Sequence, residues 1–375
     1  MAAIHSRPKH LPHELSKASN NVDMTPLQRF AAYDAGKPID RLPTVPVLTN
    51  TTARVIGARV SEFAGNAALT AHGQIQAYRL FGYDVIRVMN DLFFMAEAMG
   101  AKVRHPIDET AYLDEPALKS RSDIDSLNPA HPQKAWQLRS LLEATEIILD
   151  RVGSEVPVTV GVVCPFTNSS HLVGANQLAR LTLKDPAAVH RLCRISLEAA
   201  LAYAEAILDL GATPSLTEPM GSGSVISPRA FDEFVLPYLK PLTQLVHSRN
   251  KKVTLHICGD TSHVWNSMVD AGADCISIDD EANLHDAKHA VGEHVRLMGN
   301  VRPASIMLQG SPSDVREAVF DCIALAHDNP RGYIIAAGCS LPTETPFANI
   351  WAMLDAAHEI GFPVNLPGIP RIDSA

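Results

Sequence analysis

"KKVTLHICGDTSHVWNSMVDAGADCISID", residues 251–279, packs two short apolar runs around one helical segment. "KVTLHIC" (252–258) and "DCISID" (274–279) have the length and β-branched content of buried strands. "SHVWNSMVDAG" (262–272) has helical spacing and ends on glycine. Strand, helix and strand in so short a span imply parallel neighbours joined by a right-handed crossover.

The rhythm continues on both sides. Ahead of it lie "TVPVL" (44–48), "DVIRVMN" (84–90), "VPVTVGVV" (156–163) and "TPSLTEP" (213–219); behind it lie "VRLMGN" (295–300) and "YIIAAGC" (333–339). Helical stretches separate them. Thr25 and Pro26 cap and open the first, two more fall between about 168 and 211, and Ser227 with Pro228 starts a long one reaching Asn250. A small hairpin or excursion is expected near 101–118. Eight strand–helix units predict an α/β chain folded as a single closed (β/α)8 TIM barrel. An open doubly wound sheet would be signalled by a glycine-rich turn after the first strand, and none is present.

Composition sets the outer limits. The chain has 375 residues, 46% hydrophobic and 19% charged, which is globular, and its net charge of −9 speaks against nucleic-acid or anionic-membrane partners. No apolar run nears the roughly 18–20 residues of a membrane helix. Residues 1–23 are expected to be a polar extension to a barrel spanning 24–375, and they contain no apolar signal core. A cytoplasmic location follows as the expectation, and with it six reduced cysteines.

A barrel of this kind gathers its chemistry at the carboxyl ends of its strands. Those positions carry Asn50, then Asn90 with Asp91, Cys164, Glu218, His256 with Cys258, Asp279 with Asp280, Asn300, and Cys339. His256 and Cys258 stand two apart on a strand and so share a face, and Cys339 can reach the same mouth. One histidine and two thiolates form a common zinc set that leaves a position for water or substrate. Glu218 is either a fourth ligand or supporting acid, or a strand-end carboxylate bonding loop amides. Asn90, Asp91, Cys164, Asp279 and Asn300 are candidate pocket residues. "HDAKHAVG" (285–292) misses the corrinoid-ligating pattern D-x-H-x-x-G by one residue, so any corrinoid must come on another protein.

"MTPLQRFAAYDAGKPIDRLPTVPV", "GVVCPFT", "EPMGSGSVISPRAFDEFVLPYLKPL", "HICGD", "MGNVRP" and "IIAAGCSLPTETPFANIWAMLDAA" together resemble the uroporphyrinogen decarboxylase superfamily. The resemblance runs from residue 24 over nearly the whole chain and implies a (β/α)8 barrel. That superfamily holds metal-independent decarboxylases and zinc methyltransferases that work with methylated corrinoid proteins. The decarboxylases carry a segment resembling M-R-Q-A-G-R after the first strand, where this chain reads "LTNTTARVIGAR". His256, Cys258 and Cys339 stand where the methyltransferases hold zinc. The resemblance therefore implies methyl transfer between methylcobalamin, held by a corrinoid protein in trans or free, and a small acceptor or donor such as a thiol or folate. A metal-independent carboxy-lyase is the alternative.

Overall fold

Residues 24–364 are described by the structure, a computed structural model. The extension expected over 1–23 and the end of the chain, 365–375, lie outside the described residues. The first helix, Pro26–Asp34, starts as its sequence dictates: Thr25 Oγ1 accepts from the Gln28 amide and Gln28 Oε1 accepts from the Thr25 amide.

Eight parallel strands follow: β1 (Thr44–Val45), β2 (Ile86–Val88), β3 (Val158–Val163), β4 (Thr213–Thr217), β5 (Thr254–Ile257), β6 (Cys275–Ile278), β7 (Arg296–Val301) and β8 (Tyr333–Ala337). They hydrogen-bond in the order β1-β8-β7-β6-β5-β4-β3-β2 in one sheet, with helices between successive strands. The excursion expected near 101–118 is a two-stranded antiparallel hairpin, Lys102–Arg104 with Tyr112–Glu115. Among the described residues no helix is long and apolar enough to cross a membrane.

The strand count, order and direction match the barrel expectation; closure does not. No ladder joins β1 to β2. Pro46 has no amide hydrogen to donate, and Val47 turns to a φ of 57°, so β1 stops after two residues. The seam is bridged from below instead. The Asp84 amide donates to the Thr44 carbonyl at 3.0 Å, and the Asp84 carboxylate accepts from the Thr44 amide at 2.6 Å. That carboxylate, fully buried, also receives the guanidinium groups of Arg29 and Arg41.

Two helical expectations are also corrected. Three helices, not two, lie between β3 and β4: Pro165–Val173, Ala175–Lys184 and Pro186–Asp209, parted by Gly174 at φ 85° and by Asp185 ahead of Pro186. The long helix expected to Asn250 is split into Pro228–Phe234 and Leu236–Ser248, because Pro237 cannot continue the preceding hydrogen-bond ladder.

Candidate metal centre

β5 ends at Ile257 and the chain turns on Gly259, whose φ of 74° suits glycine. A side chain there would also meet Ser222 Oγ at 2.7 Å. The turn leaves His256 and Cys258 pointing into the barrel mouth, with His256 Nε2 3.3 Å from Cys258 Sγ. Cys339, just past β8, brings its Sγ to 3.9 Å from that of Cys258. Asp279, just past β6, completes the group: one ligand atom from each of His256, Cys258, Asp279 and Cys339 lies within 4.8 Å of the others. Nitrogen, two sulfurs and a carboxylate oxygen are a donor set suited to zinc.

Each donor is held in place. His256 Nδ1 faces the Ser277 carbonyl at 3.3 Å and the Ser277 hydroxyl at 3.1 Å. A proton on Nδ1 serves the carbonyl, which leaves the Nε2 lone pair for a metal. Asp279 Oδ2 accepts from the Gly259 amide at 2.9 Å. The hydrogen bond between the thiols holds Cys339 well below the usual thiol range, and His256 acts the same way against the effect of burial. The same bond, with burial, pushes Cys258 up. The pair thus releases its first proton readily and its second reluctantly, as two acids sharing a proton do. A metal ion bound to both sulfurs would favour loss of both protons.

The group borders a cavity of about 250 Å³. Of the expected site residues, His256, Cys258, Cys339, Asn90 and Asp91 line it, as does Asn50. Asp91 Oδ1 accepts from the Phe93 and Phe94 amides at 2.6 and 2.9 Å, and burial still raises its pKa. Asn300 stands behind the site. Its Nδ2 donates to the carbonyls of Asp279 at 3.0 Å and Ala282 at 2.8 Å, bracing the loop that carries Asp279.

Glu218 and Cys164 point elsewhere. The Glu218 carboxylate accepts from the amides of Phe166 at 3.2 Å and Thr167 at 2.6 Å, at the N-terminus of the helix Pro165–Val173, and from the Thr167 hydroxyl. It is therefore engaged by amides of a helix N-terminus, not of a loop, and Asp279 occupies the place considered for it beside the thiols. Burial pushes its pKa up to about 7 even though these donors favour the charged form. Cys164 is fully buried with its Sγ 3.8 Å from the Val162 carbonyl, and burial raises its thiol well above the usual range.

Arg87, Thr217 and Ser277 are among the cavity residues that were not anticipated. Arg87 on β2 is 9% exposed, and its Nη2 donates to Thr217 Oγ1 at 2.7 Å. Burial lowers the pKa of its guanidinium, partly offset by Cys339 and Cys258. The signal was present in "DVIRVMN", where a charge interrupts an apolar strand.

Comparison with known proteins agrees with this architecture. Methylcobamide:CoM methyltransferases of Methanosarcina barkeri and Methanosarcina acetivorans are 26% identical over 340 residues and 25% over 341. The alignments cover 88% of this chain and 97% of the first relative, and 90% and 98% for the second. A uroporphyrinogen decarboxylase of Vibrio campbellii is 24% identical over 307 residues, 80% of this chain and 85% of that one. Among solved structures, a methyltransferase from Methanosarcina mazei shares the fold with a TM-score of 0.78 at 24% identity, covering 90% of this chain and 99% of that one. The uroporphyrinogen decarboxylase (URO-D) family model matches residues 25–360, so the chain belongs to that family.

Proposed function

We propose that this chain is a zinc-dependent methyltransferase acting between a corrinoid protein in trans and a small acceptor or donor. The observation that carries the reading is the convergence of His256, Cys258, Cys339 and Asp279 beside a cavity at the strand ends. A metal-independent decarboxylase has no use for two thiols placed 3.9 Å apart beside a histidine. The methyltransferases among the relatives support the same choice.

His256, Cys258 and Cys339 would hold the zinc, with Asp279 as the fourth donor or as the group that gives way to substrate. The metal supplies Lewis acidity, which favours the thiolate form of a bound thiol near neutral pH or assists departure of a demethylated group. The protein's own part is positioning and charge. Ser277 fixes the His256 tautomer, the Gly259 amide orients Asp279, and Asn300 holds the loop behind it. Two anionic sulfurs limit how strongly the metal withdraws charge from a substrate sulfur, which keeps that sulfur nucleophilic. Met89, Phe93 and Leu341 give the cavity apolar walls that exclude water around it.

Metal analysis and turnover test the reading together. Purified protein is expected to carry about one zinc per chain, as a single four-donor site implies, and Cys339→Ala is expected to lose it. Loss of methylcobalamin absorbance in the presence of a small thiol should follow the zinc content. Absence of stoichiometric zinc, or zinc retained in Cys339→Ala, would sink the site. Porphyrinogen decarboxylation by metal-free protein would install the carboxy-lyase in its place.

A further inference from the structure

The stretch "HDAKHAVG", which fails as a corrinoid-ligating loop, is folded as a helix, Leu284–Val291, between β6 and β7. Leu284, Ala287 and Val291 are its buried face, and His285 and His289 stand exposed on the other. Residues four apart in a helix lie one above the other. Here the two Nε2 atoms are 3.1 Å apart and the ring centroids 4.3 Å apart.

One ion bound to both nitrogens at about 2.0–2.1 Å would set them about 2.9 Å apart at a right angle and about 3.3 Å apart at the tetrahedral angle. The observed spacing falls between these values, so the two side chains need little movement to share an ion. Asp286 supplies a supporting carboxylate, its Oδ1 3.4 Å from His285 Nδ1. A proton on Nδ1 serves that carboxylate and leaves the Nε2 lone pair facing His289. The helix that carries the pair is itself held. Asn283 Oδ1 accepts from the Asp286 amide at 3.2 Å, and Lys288 Nζ donates to Asp328 Oδ1 at 2.7 Å.

We propose that His285 and His289 form a second, exchangeable site for a divalent transition ion such as zinc, distinct from the group at the strand ends. Imidazole nitrogen selects such ions over calcium and magnesium, which take oxygen ligands. Water completes the coordination. Two protein donors hold an ion less tightly than the four of the candidate centre. The second ion is therefore expected to leave on desalting, so that purified protein still carries about one zinc. The competing role is a hydrogen bond alone, in which one Nε2–H donates to the other Nε2 and no metal is needed. Neither role depends on the methyl-transfer reading.

Titration calorimetry with Zn²⁺ alone separates the two, using the full chain loaded with zinc and then desalted. The parent should take up about one equivalent more than His285→Gln or His289→Gln, saturating at sub-millimolar free zinc, and each variant should bind it at least about 10-fold more weakly. Glutamine is the better helix former, so both variants keep the helix. His294→Gln, which removes an exposed histidine just beyond the helix, should match the parent. Zinc bound anywhere else cancels in these differences. Carbethoxylation by diethyl pyrocarbonate, mapped by mass spectrometry, should be slowed by zinc at His285 and His289 but not at His294. No added uptake by the parent, uptake retained in either pair variant or lost equally in His294→Gln, or no protection of the two imidazoles would overturn the proposal. Zinc retained through desalting is read on the same samples before titration and reports on the candidate centre by itself, so the two sites fail separately.

Discussion

Glu218 and Asp279 show how single side chains divide the work at the strand ends. Both follow strands, yet one carboxylate turns to the amides of Phe166 and Thr167 and the other to the amide of Gly259 beside the thiols. With its pKa raised from 4.5 to about 7, Glu218 prefers to be protonated in the folded chain. Its contribution to stability is therefore full below pH 4.5 and is lost as pH rises through 7, a change on the order of 3 kcal/mol. Urea unfolding at both ends of that window should show the loss in the parent protein and little of it in Glu218→Gln. The pair also marks a limit of sequence reading. Alternation assigns faces along a strand but stops where the strand stops, so it paired His256 with Cys258, one residue past β5, yet could not choose between Glu218 and Asp279, which hold the same position after β4 and β6. Arg87 was missed for a different reason: whether a charge within an apolar strand has a partner is a fact of tertiary structure.

At the level of elements, the site depends on how chain segments leave the sheet. Gly259 turns the chain after β5 with a positive φ, and it hands its amide to Asp279. Gly259→Ala is expected to strain the turn and crowd Ser222 Oγ, costing about 1–2 kcal/mol of stability and weakening zinc binding about 10-fold or more, although every ligand remains. Chemical denaturation and competition with a chromophoric chelator would measure the two effects. Unchanged zinc affinity would show that the turn does not position Cys258 and Asp279. These segments were legible to different degrees. Strong β-branched runs such as "VPVTVGVV" gave clear strands, whereas the splitting of one long helix at Pro237 and the insertion of a third before β4 depended on backbone breaks within otherwise helical sequence.

Across the whole molecule, the candidate metal group and the structural charges occupy opposite ends of the strands. Asp84 precedes β2 and joins Arg29, Arg41 and the Thr44 amide across the seam, while the metal group lies past the ends of β5, β6 and β8. Asp84→Ala would leave two buried guanidinium groups short of a partner, so a loss of about 3–5 kcal/mol is expected by denaturant titration. Once folded, the variant should still bind zinc, because its ligands are remote from the seam. The eightfold alternation of strand and helix made the architecture readable, but an incomplete join between β1 and β2 could not be read from alternation, since it depends on a two-residue strand ending beside Pro46. Cys258 and Cys339, 81 positions apart in the chain, meet with their sulfurs at 3.9 Å. Without metal, an external oxidant could take two electrons from them and join them as a disulfide with release of two protons. Both ligands would vanish in one event, so ageing in air would leave fewer working molecules, each as fast as before, rather than a uniformly slower population.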